Sequence, residues 1–219
     1  GLLACRGSKR ASDDTPAVQA PGPVDGEGDG DSAAVENGDA QGPAIHAAAH
    51  DATIRAPLDA TPSPKGERVY YTAFRRGAEE DVPGVFSVAA DGGGDIQALA
   101  EGAPLTAPVN IGVSLDGERL FVADSAYGDA AGGAILSLLT SGGTPSALGG
   151  TEGYRPTGIA IARVEGEEQL YFTGRHPQTG AAGLFRIAPS GGAPNAVLSG
   201  APFSDPSGVT VSAKGDAYV

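Results

Sequence analysis

Carboxylates at Asp25, Glu27, Asp29, Asp31 and Glu36, with Gly30 among them, fall on the ligand spacing of a calcium-binding loop. Oxygens so placed could wrap a hard cation. The position that pairs one such loop with another needs an apolar residue and holds Ser32, and the flanks 21–24 and 37–42 are rich in Pro and Gly rather than helix formers. An acidic, low-complexity arm produces such a match by chance, and weak nonspecific cation association is the plainer reading. His46 and His50 are spaced to share one helix face and could hold zinc with Asp51, but a fourth ligand has to come from elsewhere. Two exposed linker histidines are the simpler account. His176 has no sequence partner that would make it a general base.

Whatever chemistry these residues perform depends on the elements that carry them, and from Pro57 onward those elements repeat. Proline recurs at Pro57, Pro108, Pro156 and Pro206, about fifty residues apart, and turn glycines keep step at Gly66, Gly117, Gly166 and Gly215. A unit repeated at that period buries its apolar face by stacking on its copies. Within each copy, short apolar runs alternate with Gly, Pro, Ser and Asp clusters, a strand and turn signature. Ile111 and Val113, Ile159 and Ile161, and Val209 and Val211 alternate with the period of a half-buried strand. A second strand carries an aromatic in each copy: 69–71, 120–122, 170–172 and 217–219. A third strand, 85–88, 135–138 and 184–187, leads into a double glycine suited to a tight turn. A weaker fourth strand holds Leu99, Leu148, or Val197 and Leu198.

Four antiparallel strands joined by hairpins make a propeller blade, so the expectation is an all-β propeller, with a β-solenoid or a sandwich as the alternatives. The blades fall at about 57–107, 108–155 and 156–205, with a partial blade at 206–219. Because a closed propeller takes four to eight blades, the pattern leads us to expect further blades beyond Val219. The chain has no Trp, which speaks against kelch and WD repeats.

The strings VNIGVSLDGERLFVADS (109–125), PTGIAIARVEGEEQLYFTG (156–174), SPKGERVYYTA (63–73) and PSGVTVSAKGDAYV (206–219) resemble six-bladed propellers of the TolB-like superfamily, with its NHL-type repeats and senescence-marker/gluconolactonase proteins. The resemblance spans residues 57–219 and speaks to fold more than to activity. In the gluconolactonase-like members an Asn or Asp after the blade-opening proline contributes to a divalent metal site at the channel. The resemblance therefore points to Asn110 as a metal ligand, for Ca²⁺ or another divalent cation. Its counterparts are read as Asp59, Thr157 and Ser207, with Asn110 displaced by the inserted Val109. One or two of the needed oxygens are present and the rest are missing or belong to further blades, so no cofactor is the first expectation and a divalent cation the alternative.

The chain begins Gly1-Leu2-Leu3-Ala4-Cys5, and Cys5 is its one cysteine, followed by a polar Gly- and Pro-rich stretch. This resembles a bacterial lipobox, in which residues 1–5 are a signal remnant and Cys5 carries lipid. The alternative is a stray thiol after a few apolar residues. Arg6 in place of Asp after the cysteine favours outer-membrane anchoring by the common enterobacterial sorting rule. Residues 6–56 are Ala, Gly, Pro, Asp and Glu with few large apolar side chains, which predicts a disordered acidic tether. The net charge of −13 argues against nucleic acid or anionic headgroups as partners.

Strand reversal puts the loops between second and third strands and the blade-to-blade connections on one face of the propeller, and the short hairpin turns on the other. The long loops (73–84, 123–134, 173–183) and the connections bring Asn110, Asp124, Tyr127, Arg155, His176 and Asp205 to that side, with Arg175 and Thr157 beside them. This is the expected ligand face. Two functions fit: a lipid-anchored envelope module that binds or scaffolds a protein or glycan, or a divalent-metal-dependent lactonase-like hydrolase or lyase with its site at the channel. The enzyme should carry several inward carboxylates or histidines at the channel mouth; Thr157 and Ser207 lean toward the binding module.

Overall fold

A computed structural model describes residues 51–128 and 132–219. Cys5, the acidic calcium-like spacing, His46 and His50 lie outside the described residues. The described chain holds only β elements. The first sheet contains β1 (Ile54–Pro62), β2 (Arg68–Arg75), β3 (Val82–Ala89) and β4 (Gln97–Glu101). The second contains β5 (Pro108–Val113), β6 (Arg119–Asp124), β7 (Ala134–Leu139) and β8 (Ser146–Ala147). The third contains β9 (Gly158–Val164), β10 (Glu167–Arg175), β11 (Ala182–Ile187) and β12 (Asn195–Ser199), followed by the pair β13 (Thr210–Val211) and β14 (Ala217–Tyr218). Each four-stranded sheet is antiparallel and ordered as in the sequence. These are blades of a β-propeller, as the repeat predicts.

The first strand starts at Ile54, ahead of the expected boundary at Pro57. A bulge between Arg55 and Asp59 explains this, because a proline without an N–H can sit where the ladder is interrupted. The inserted Val109 produces the same feature in β5, where the register shifts between Pro108 and Asn110.

Alternation along the second strand divides its side chains between neighbours. Tyr70 and Val122 meet in one core between the first and second blades. Phe121 and Phe172 meet in the next, between the second and third. Tyr171 packs with Val209, just ahead of the final strand pair, and with Val211 and Ala217 within it. Thus the second and third blades each pack one face against the blade before and the other against the segment after, as a stacked repeat requires. Phe121, Phe172 and Phe185 are each 0 % exposed, and full burial of a side chain of that size stabilises by about 1.5–3 kcal/mol.

Outer strands are the weakest, as expected for edges with little to bury. β8 has only 2 residues, and every residue of β12 is exposed. The turns after the third strands tie the outer parts together: Gly143 N donates to Leu99 O at 3.0 Å and Gly192 N to Gly149 O at 2.9 Å, each reaching the preceding blade.

Candidate functional site

Inner strands bring the residues after the blade-opening prolines together, and there the polar side chains hold one blade to the next. Asp59 Oδ2 accepts from Ile111 N at 2.9 Å, and Asn110 Oδ1 accepts from Ile159 N at 2.7 Å. Register makes the two clips equivalent: Asp59 pairs with Thr72 and Asn110 with Ala123 on the matching second strands. By that register the third blade presents Gly158 at the same slot, opposite Thr173. A Cβ there would stand 2.9 Å from Gly208 Cα and 2.9 Å from Thr173 Oγ1, so the next segment approaches too closely for any side chain. The neighbouring Thr157 takes over, donating from Oγ1 to Pro206 O at 2.7 Å.

Asn110, expected as a metal ligand, thus has its acceptor oxygen engaged by a backbone N–H. Among the described residues no group of three or more His, Cys, Asp or Glu side chains converges as a metal centre would require.

Asp124 ends β6 ahead of a long loop, the position of a ligand residue in sequence terms, yet its side chain is 0 % exposed. Oδ2 accepts from Thr106 N at 2.7 Å, and Oδ1 from Ala107 N at 2.9 Å and Ala126 N at 3.2 Å. The carboxylate fastens the first blade-to-blade connection to the turn that follows β6, and three N–H donors satisfy its buried charge. Tyr127 follows on that turn and packs, half-buried, against the core between the first two blades. Its carbonyl accepts from Gly133 N at 2.7 Å.

His176 closes the β10–β11 turn. Its backbone N donates to Ala181 O at 2.9 Å and its Nδ1 accepts from Gln178 N at 3.3 Å. Its ring stands 5.7 Å, edge-on, from buried Tyr154, which itself meets Phe172 and Phe185 at 5.5 and 5.0 Å. Burial pushes the Tyr154 hydroxyl above the usual tyrosine range. The imidazole completes an aromatic cluster and, among the described residues, pairs with no carboxylate.

Arg155 and Asp205 do come together, with Arg175, around a cleft of 340 Å³ between the second and third blades on the long-loop face. One wall is the turn residues Ser125, Ala126 and Gly128; the other carries Gly174 and Thr157. Arg175 is held at the rim by three acceptors: Ser204 O at 2.7 Å, Gly180 O at 3.3 Å and Asp205 Oδ1 at 3.4 Å. Asp205 itself is largely in solvent, its side chain 88 % exposed.

Arg155 has φ of +47°, the left-handed region that non-glycine residues seldom occupy. Neighbouring glycines impose it. A Cβ on Gly133 would lie 2.6 Å from Arg155 Cα, and one on Gly174 would lie 2.5 Å from Tyr154 O. The segment Tyr154-Arg155-Pro156 therefore runs through a slot only two glycines leave open. In the sequence Gly133 and Gly174 look like ordinary loop and strand-end glycines, and nothing local marks them as partners of Arg155. A second hollow of 270 Å³ between the inner strands, lined by Thr61, Pro64, Gly112, Leu115 and Ile161 among others, has mostly aliphatic walls.

No protein-family description and no curated protein matches the chain. Among solved structures it is similar to a chain in the crystal structure of a Nidogen/Laminin complex, at 18 % identity and a TM-score of 0.55, over 72 % of this chain and 53 % of that one. It is also similar to a protein described as TolB from Agrobacterium tumefaciens, at 15 % identity and a TM-score of 0.34, over 66 % of this chain and 61 % of that one. The chain thus spans about half the length of the nidogen/laminin chain it matches. At 18 % identity the likeness to the nidogen/laminin chain shows the β-propeller fold alone.

Proposed function

We propose that this propeller is a binding or scaffolding module of a lipid-anchored bacterial envelope protein, engaging a protein or glycan partner through its long-loop face. The observation that carries this reading is how the polar groups divide. Asp59, Asn110 and Asp124, which could have supplied chemistry, accept hydrogen bonds from backbone N–H groups and hold blades and connections together. The arginines that frame the cleft instead lie where loops of two blades and the following connection meet, where a rigid propeller presents a partner surface. A solved Nidogen/Laminin complex contains a chain of similar fold, which agrees with partner binding as a use of this architecture.

In-cell photo-crosslinking tests the face. A benzophenone amino acid replacing exposed Ala126 at the cleft lip should give a discrete adduct, while one replacing Lys65 on the opposite hairpin face should give none. Equal labelling at both positions, or none at Ala126, overturns the reading. Anchoring is tested separately: labelling with a palmitate analogue should mark Cys5, and Cys5→Ser should release the protein from membranes. A Cys5→Ser protein that stays membrane-bound removes the anchor.

A further inference from the structure

We infer that the bulge at residues 56–58 of β1 is an apolar anchor of the partner surface, with Leu58 the side chain that a partner polypeptide takes into an apolar pocket. This rests on the binding-module reading above and specifies the chemistry of its contact. The ladder on either side of the bulge is fixed. Arg55 pairs with Phe74 and Asp59 with Thr72, so residues 56–58 must fit opposite Ala73 alone. Ahead of them Arg76 N donates to Thr53 O at 2.7 Å, and behind them Asp59 Oδ2 accepts from Ile111 N at 2.9 Å. A segment with surplus residues between two pinned ends bows outward.

The backbone records the strain. Ala56 has φ of +40°, in the left-handed region that an alanine seldom occupies. Such a conformation persists only where its surroundings over-determine it, and a bulge of this kind re-aims the side chains it carries. Residues 55–58 are all exposed, Leu58 by 44 %.

The other blades show the same strand without the surplus. Val109 follows its blade-opening proline as Leu58 does, but in a smaller register shift, and it is half-buried against the core between the second and third blades. The inner strand of the third blade pairs from Gly158 to Val164 with no shift.

The bulge stands at the start of β1, beside Arg76 of the β2–β3 loop, and so at the long-loop end of the blade. Ala56, Pro57 and Leu58 carry no side-chain hydrogen-bonding group with which to hold a sugar. An aliphatic side chain instead gains by leaving water for an apolar pocket. A lone exposed leucine is common on proteins; one driven out by a pinned and strained backbone is a positioned group. Leu139 supplies the comparison, 50 % exposed at the hairpin-turn end of β7.

In-cell photo-crosslinking from Ala126 of the full chain, with the adduct identified by mass spectrometry, tests this. Leu58→Ser should lower the yield of the discrete adduct about fivefold or more while leaving Tm unchanged. Leu58→Met should keep the wild-type yield, and so should Leu139→Ser.

Equal yields from wild type and Leu58→Ser overturn the inference. So do equal losses from Leu58→Ser and Leu139→Ser, which would mark nonspecific adhesion, and an adduct that yields sugars and no peptide, which would mark a glycan partner. If the adduct from Ala126 forms without regard to Leu58, the anchor falls and the binding face stands; if Ala126 gives no adduct, both fall.

Discussion

Asn110 Oδ1 accepts a 2.7 Å hydrogen bond from the backbone N–H of Ile159, so the inner strand of the second blade holds that of the third. Asp59 makes the same contact to Ile111 one blade earlier. Sheets whose faces meet largely through apolar side chains gain here, at their inner strands, a directional link whose register is fixed by the repeat.

Removing that link should weaken the stack. Asn110→Ala leaves Ile159 N without its acceptor and should cost about 1–3 kcal/mol by denaturant unfolding. Asn110→Asp, which reproduces the Asp59 arrangement, should cost less than the alanine. Equal stability of wild type and alanine variant would contradict the clip.

Asp124 should be more sensitive still. With a fully buried carboxylate and three backbone donors, Asp124→Ala should lose about 3 kcal/mol or more, since a hydrogen bond to a charged group is worth about 1.5–3 kcal/mol. Protection of the Thr106 and Ala107 amides should fall with it. A surface-like change under about 0.5 kcal/mol would show that the connection is held by other means.

Burial pushes the Tyr71 hydroxyl up to about 12, and among the described residues no partner meets its buried oxygen. Its ionised form is disfavoured in the fold, so the stability linked to it is fully present below the ordinary tyrosine range and is lost as pH rises toward that value. Difference absorbance between wild type and Tyr71→Phe should show a phenol titrating near 12. Because the hydroxyl is unsatisfied, Tyr71→Phe should be neutral or stabilising. A titration in the normal range, or a clear loss of stability, would place the hydroxyl in water or on a partner.

The β5–β6 turn supplies the opposite sign. The Ser114 hydroxyl and the Glu118 N–H donate to Asp116 Oδ1 and hold its carboxyl below the usual range. That contribution is present above the unfolded aspartate value and is lost as pH falls through the lower folded one. Asp116→Asn should therefore flatten the acid limb of a Tm-versus-pH curve. An unchanged limb would contradict it.

The oxygens a metal site would need are engaged by N–H donors at Asp59, Asn110 and Asp124. Chelation with EGTA should therefore leave Tm unchanged. A chelator-induced fall in Tm, restored by Ca²⁺, would contradict this.

The blades were legible because burial imposes period 2 on strands such as 69–71 and 120–122 and because turns demand glycine at fixed offsets. The side on which the long loops gather was legible for a related reason, since strand reversal alone sorts loops to one side. What individual side chains do there was not. Asp124 and Asp205 are both loop-side aspartates in sequence, yet one is 0 % exposed and clamped by amides while the other stands in solvent. That difference comes from contacts 17 and 18 residues away, a separation at which sequence carries no local signal. The left-handed Arg155 was equally hidden, because the glycines beside it, Gly133 in the loop before β7 and Gly174 in β10, belong to different blades.

Hydrogen–deuterium exchange of the full chain, with and without detergent-solubilised cell envelope, tests the binding face most directly. The account predicts slowed exchange in 125–128, 154–157 and 174–180, around the cleft, with the hairpin turns unchanged. Protection confined to the hairpin turns 63–67, 114–118 and 165–166, or absent altogether, would contradict it.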